Sequence, residues 1–131
     1  MKTNLDRHFK VNDQYAKEGV EFAIDDKTHF RLRYFNPSNP RVKAAMAAHY
    51  KPFARQIDLG TLDQDTQLTI KIKLFIDISL VSWEGIEDGG KALECNPENA
   101  LALFRHLPTM FESLWAYAND HTNYKDDVGN S

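Results

Sequence analysis

The residues with the most chemistry in this chain are one cysteine, Cys95, and five histidines: His8, His29, His49, His106 and His121. A helical metal site needs two ligands on one face, as an HxxxH spacing supplies, and no two of these histidines stand that way. Cys95 has no CxxC companion with which to hold zinc. Cys95 and His106 could in principle meet as nucleophile and base, but a lone cysteine and some histidine satisfy that description in most chains. A structural or incidental thiol is the plainer reading. No metal, no cofactor and no catalytic residue is expected, and the protein reads as a non-enzyme.

Two further stretches invite a chemical reading and fail it. Trp83-Glu84-Gly85-Ile86-Glu87-Asp88-Gly89-Gly90 is acidic, yet it lacks the alternating ligands and terminal glutamate of a calcium loop. Gly89-Gly90-Lys91 lacks the upstream glycine, and the Ser or Thr after lysine, that a phosphate-cradling loop requires. A solvated turn accounts for both. What remains is aromatic. Phe104, Phe111, Trp115 and Tyr117 fall at helical spacing, and Trp83 ends an apolar run. Such residues are most often core, but if one apolar face is left over they are the types that anchor protein interfaces. These five are the expected partner-binding set.

The elements that would position them follow from size and pattern. At 131 residues, with 42% apolar and 27% charged, the chain reads as a single globular domain over 1–131 that buries its own core. The apolar run 68–83 is interrupted by Lys71, Lys73 and Asp77, too many charges for a membrane span, and residues 1–10 lack the apolar stretch of a secretory signal. With a single thiol, a reducing cytoplasm is the natural setting. Residues 1–60 carry 11 basic against 7 acidic residues (+4), and residues 61–131 carry 5 against 12 (−7). Opposed halves can attract within one molecule or join neighbouring copies head to tail. Nucleic acid is disfavoured, because the basic residues are scattered among acids without regular aromatic interleaving.

Val20, Phe22 and Ile24, and again Phe30, Leu32 and Tyr34, alternate with polar or small residues around Asp25-Asp26-Lys27-Thr28. That pattern predicts a β-hairpin over about 19–35 with one apolar face, its charged face pairing Glu21 with Arg31 or Arg33. Asn36-Pro37-Ser38-Asn39-Pro40 opens a helical region over about 39–124. Pro52 should kink or break its first helix, which carries Met46, Tyr50, Phe53 and Ile57 on one face. Residues 68–83 fit both periods, and their length favours a helix, apolar over most of its circumference and therefore central. Residues 84–95 read as a loop. Asn96-Pro97-Glu98-Asn99 starts the next helix, Pro108 restarts it, and the last helix ends near Tyr124, before a frayed tail over 125–131. The fold class is mainly α with a small N-terminal β-hairpin (α+β), its helices packed around a central apolar helix.

Trp83-Glu84-Gly85-Ile86, the glycine-containing loop, Asn96-Pro97-Glu98-Asn99-Ala100 and Leu107-Pro108-Thr109-Met110-Phe111, in that order, resemble the C-terminal half of the tail assembly chaperones of long-tailed bacteriophages and prophages. Asn4-Leu5 through Phe9, Glu18-Gly19-Val20 and Phe30-Arg31-Leu32-Arg33-Tyr34 resemble the opening of the same family. The resemblance covers nearly the whole chain, although each motif alone is made of turn formers and apolar residues. It implies an oligomeric protein of the host bacterial cytoplasm that coats the tape measure protein, keeps it soluble and helps recruit tail tube subunits. A longer frameshifted form of the chain is a further partner that the resemblance implies. The runner-up from a different class is a head–tail connector or tail completion protein retained in the virion.

Overall fold

The structure is a computed structural model and describes residues 1–126. Two short helices, α1 (Asp6–Phe9) and α2 (Asp13–Glu18), precede the hairpin of β1 (Val20–Ala23) and β2 (His29–Leu32). The strands pair antiparallel with Phe22 opposite Phe30 and Val20 opposite Leu32, so the alternating apolar residues share one face as expected. Glu21 lies 3.2 Å from Arg31 on the other face.

Asn39 caps α3 (Pro40–Tyr50) by accepting from the Arg41 N–H at 2.8 Å. Pro52 then ends it: the chain makes one tight turn over Lys51–Phe53 and restarts as α4 (Ala54–Leu59). This is the break that a proline without an N–H imposes.

The ambiguous segment 68–83 divides. Its first part belongs to α5 (Gln64–Ile78), started by Asp63, whose carboxylate accepts from Thr66 N–H at 2.9 Å. Its last part is a strand, β3 (Leu80–Glu84), which corrects the expectation of a helix through Trp83. β3 joins the hairpin as a third antiparallel strand, in the order β1-β2-β3. The reason is that a two-stranded ribbon leaves a bare edge. Val81 and Trp83 alternate with Ser82 and Glu84, and an irregularity in the pairing brings Leu80 opposite Leu32, once the chain turns at Ser79, whose carbonyl accepts from Arg33 N–H at 2.7 Å.

Residues 84–95, read as a loop, contain a further small hairpin, β4 (Glu87–Asp88) with β5 (Lys91–Ala92). Gly89 and Gly90 both take positive φ, 59° and 84°, as a two-residue connection of this type demands. Asn96 caps α6 (Pro97–His106), accepting from Asn99 N–H at 2.8 Å, and Pro108 begins α7 (Pro108–Asn119). α7 stops at Asn119, five residues before Tyr124, and a tight turn over His121–Tyr124 follows. Of the tail expected to fray, 127–131 lies outside the described residues, whereas Asp126 accepts from the Asn12 side chain at 2.6 Å.

One hydrophobic cluster draws on every layer: Phe30 and Leu32 from β2, Trp83 from β3, Ile72, Phe75 and Ile78 from α5, Phe104 from α6, and Phe111, Leu114 and Ala118 from α7. α5 packs on α3, α6 and the start of β3. Lys73 and Asp77 stay exposed on its polar stripe, where Asp77 meets His49 at 3.1 Å rather than its own helical neighbour. The protein is thus an α+β fold of helices against a small antiparallel sheet.

Candidate functional site

Pro52 gives the molecule an unfinished corner. The break turns α4 away from the body, and every residue of that six-residue helix is exposed. A helix this short is not stable on its own, so it depends on the segments that hold its ends. It carries two large apolar side chains into solvent, Ile57 at 43% and Leu59 at 64% exposure. Between this shelf, α5 and the first turns of α7 lies a groove of about 710 Å³ whose apolar wall is built by Tyr50, Ile57, Leu62 and Leu68.

Lys71 and Glu112 close the far side. The Lys71 ammonium donates to both carboxylate oxygens of Glu112, at 2.9 and 3.1 Å, and lies 4.7 Å from the Trp115 ring centroid and 5.9 Å from that of Phe111. Its aliphatic stem can cover aromatic surface while the charge stays at the rim. An apolar trough with one paired charge at its edge suits the apolar side chains of another polypeptide.

The expected partner-binding residues are divided by the structure. Phe104 and Phe111 have no exposure and Trp83 has 7%. Phe104 and Phe111 pack at a centroid distance of 5.4 Å, and the Trp83 indole donates to Leu93 O at 2.8 Å. In this conformation all three rings face the protein's own interior: Phe104 meets Phe30 of the sheet and Phe75 of α5, Phe111 meets Phe75, and Trp83 meets Phe30. Trp115 and Tyr117 are half-buried. Trp115 underlies the groove's charged rim, whereas Tyr117 ties α7 to β1 through an edge contact with Phe22, ring centroids 4.7 Å apart. None of the groove residues Tyr50, Ile57, Leu62, Leu68, Lys71 and Glu112 is in the expected partner-binding set, although Tyr50 and Ile57 are expected on one apolar face of the helix that Pro52 breaks. Apolar residues after a helix-breaking proline were the available signal.

Cys95 and His106 do not meet. Cys95 stands just before α6 and His106 ends it, so ten residues of helix separate them by about 15 Å. Burial pushes the Cys95 thiol up, against a smaller opposing pull from its hydrogen bond with the Trp83 backbone. The histidines are dispersed: His29 sits between Glu21 (2.6 Å) and Glu84 (3.4 Å) across the sheet, and His121 reaches the His8 carbonyl at 3.2 Å. Among the described residues no group of three or more His, Cys, Asp and Glu side chains is placed to hold a metal, and no helix is long and apolar enough to cross a membrane.

Residues 37–130, from the turn before α3 onward, match the family model described as YdaY prophage protein. The chain belongs to the YdaY prophage protein family. The matched region contains α3 to α7 and β3, and so the whole groove, while the β1–β2 hairpin lies before it. Membership in the YdaY family bears out the phage or prophage origin that the ordered motifs imply. No curated protein and no solved structure matches the chain.

Proposed function

We propose that this YdaY-family protein is a non-enzymatic tail assembly chaperone of the host cytoplasm. Its groove beside α4 covers apolar helical segments of the tape measure protein and keeps that client soluble while tail tube subunits are recruited. The observation that carries this reading is the exposed apolar shelf of Ile57 and Leu59 beside a trough lined by Tyr50, Leu62 and Leu68. Prophage membership and the ordered resemblance to tail assembly chaperones support it. A long apolar helical chain aggregates unless its faces are covered, and many weak repeated contacts give avidity without a chemical step. Trp115 and Tyr117 are the members of the aromatic set with surface to contribute; Phe104, Phe111 and Trp83 act by holding α5, α6, α7 and the sheet together behind the groove.

Co-expression with the tape measure protein of the same prophage should raise that client's soluble yield and give a complex on a sizing column. An unchanged yield with no complex overturns the proposal. Mass spectrometry of purified particles separates it from a connector or completion protein: a chaperone is absent from the virion, and a connector is retained.

A further inference from the structure

β1 carries hydrogen-bonding groups that the fold leaves unused. The Ile24 N–H donates to Thr28 O at 2.8 Å, so Ile24 faces the strand it pairs with. Bonded and non-bonded positions alternate along an antiparallel pair, so Val20 and Phe22 also face β2, and the N–H and C=O groups of Glu21 and Ala23 point outward. Among the described residues no strand pairs with that outer side. The Glu21 carbonyl accepts from the Tyr117 hydroxyl there at 3.4 Å and keeps a second lone pair. Edge strands are ordinarily blunted by lysine, proline or a bulge. Val20–Ala23 has none of these and pairs residue for residue with β2. Ala23 is exposed, and Ile24, just past the strand, is 45% exposed.

Antiparallel pairing of β1 with β1 of a second copy joins outward groups to outward groups when the two-fold axis passes at Glu21, Phe22 or Ala23, and the sequence separates these registers. An axis at Glu21 sets the two Glu21 side chains opposite each other, and an axis at Ala23 sets Glu21 opposite Asp25. Like charges directly opposite each other destabilise a pair. With the axis at Phe22, Glu21 lies opposite Ala23 in both directions and no charge meets its like. Phe22 then meets Phe22, and Val20 meets Ile24, all on the apolar face. The Glu21 carboxylate is already answered within its own sheet, by His29 at 2.6 Å and Arg31 at 3.2 Å. Val-Glu-Phe-Ala-Ile is apolar at its centre and both ends whichever way it is read, which a second copy matches and an arbitrary peptide does not.

We propose that β1 pairs with β1 of a second copy about a two-fold axis at Phe22, joining the two sheets into one. Glu21 and Ala23 of each copy exchange backbone hydrogen bonds, and the exposed Ile24 is covered by Val20 of the other chain. The contact is isologous and closes at the dimer. The strand is short, so the association is weak. It is independent of what occupies the groove beside α4, and each dimer presents that groove twice, which adds avidity toward a long client.

Sedimentation of the full chain should show a weight-average mass that rises from 15.1 kDa with concentration, up to about 1 mM, and does not exceed that of the dimer. Amide exchange reads the register. Protection of the Glu21 and Ala23 N–H groups should grow with concentration, whereas that of Phe22, already bonded to β2, should not change. Ala23→Lys sets an ammonium opposite Glu21 of the other copy and should tighten association by roughly threefold, and Ala23→Glu should weaken it by about as much. Both should keep the wild-type melting curve, because Ala23 is exposed. A chain that stays monomeric throughout, a dimer whose Glu21 and Ala23 amides remain unprotected, or an Ala23→Glu variant that associates as well as Ala23→Lys overturns the proposal. So does protection of those two amides by the tape measure protein in a chain that stays monomeric, which assigns the edge to a client strand instead.

Discussion

Phe75, Phe104 and Phe111 meet at centroid distances of 5.4 to 5.9 Å with no exposure at all, whereas Ile57 and Leu59, two helices away, remain 43% and 64% exposed. Similar side-chain chemistry has opposite fates in the two regions. Around Phe75 three helices and a sheet converge, and each ring fills space left by the others; near-perpendicular pairs such as Phe75 with Phe111, at 89°, set ring edge against ring face. On α4 the proline break leaves a short helix exposed all round, and its two large apolar side chains have nothing to pack on. The interior is closed without the shelf, so the shelf's apolar area is available to something else.

The comparison predicts unequal costs. Phe104→Ala opens a cavity at the meeting point of α5, α6 and α7 and should cost about 3–5 kcal/mol in urea unfolding, enough to unfold a marginal domain. A cost below 1 kcal/mol would mean that the aromatic cluster is not the stabilising centre.

Next in size is Gly85→Ala. Gly85 has φ +80°, and a Cβ there would overlap Lys27 O in the turn of the β1–β2 hairpin. Left-handed backbone and overlap together should cost on the order of 1–3 kcal/mol. Amide exchange should report the loss first in β2 and β3, since at Gly85 the end of β3 closes on the hairpin turn, where the Thr28 hydroxyl donates to the Gly85 carbonyl at 3.2 Å. Unchanged protection of both strands would contradict that.

Much of the shared architecture was readable from sequence, and the groove was not. Asn39, Pro52, Asn96 and Pro108 act through local chemistry, as caps, a break and a helix start, so the boundaries of α3, α6 and α7 follow from neighbours in the chain. Val20, Phe22, Phe30 and Leu32 declare the hairpin by alternation. At 68–83 both periods were satisfied at once, and the choice was made by a long-range partner, the open edge of β2, which no local pattern records. The same holds for the aromatics: helical spacing groups Phe111 with Leu114 and Trp115 but does not say whether that face meets the core or a partner. The groove joins residues from α3, α4, α5 and α7 that are apolar or ordinary one by one and become a site through packing.

Tyr124 offers a smaller test within the closed region. Its hydroxyl donates to Leu32 O at 3.1 Å, and burial, followed by the neighbouring Tyr117 and Tyr34, pushes its pKa far above the usual tyrosine value. The folded state therefore holds this proton more tightly than the unfolded chain does. Its contribution is fully present below pH about 10, the unfolded value, and is lost as pH rises beyond it. Tyr124→Phe should cost about 1 kcal/mol at neutral pH and make the alkaline loss of stability shallower. An alkaline transition identical to wild type would assign that loss to other groups.

The smallest expected effect on stability comes from the shelf and carries the most functional weight. Ile57→Ser with Leu59→Ser removes apolar surface that the fold already leaves in water, so the urea midpoint should move by no more than about 0.5 kcal/mol equivalent. The helical circular dichroism should also be unchanged. The same double variant should fail to raise the soluble yield of the tape measure protein, because the trough between α4, α5 and α7 loses Ile57 from its apolar wall and α4 loses its other exposed apolar side chain. If the variant unfolds, α4 is part of the interior after all; if it keeps full client binding, the client lies elsewhere. A stable protein that has lost its client is what an unfinished apolar corner reserved for another polypeptide requires, since the free energy of covering Ile57 and Leu59 then appears in the complex and not in the fold.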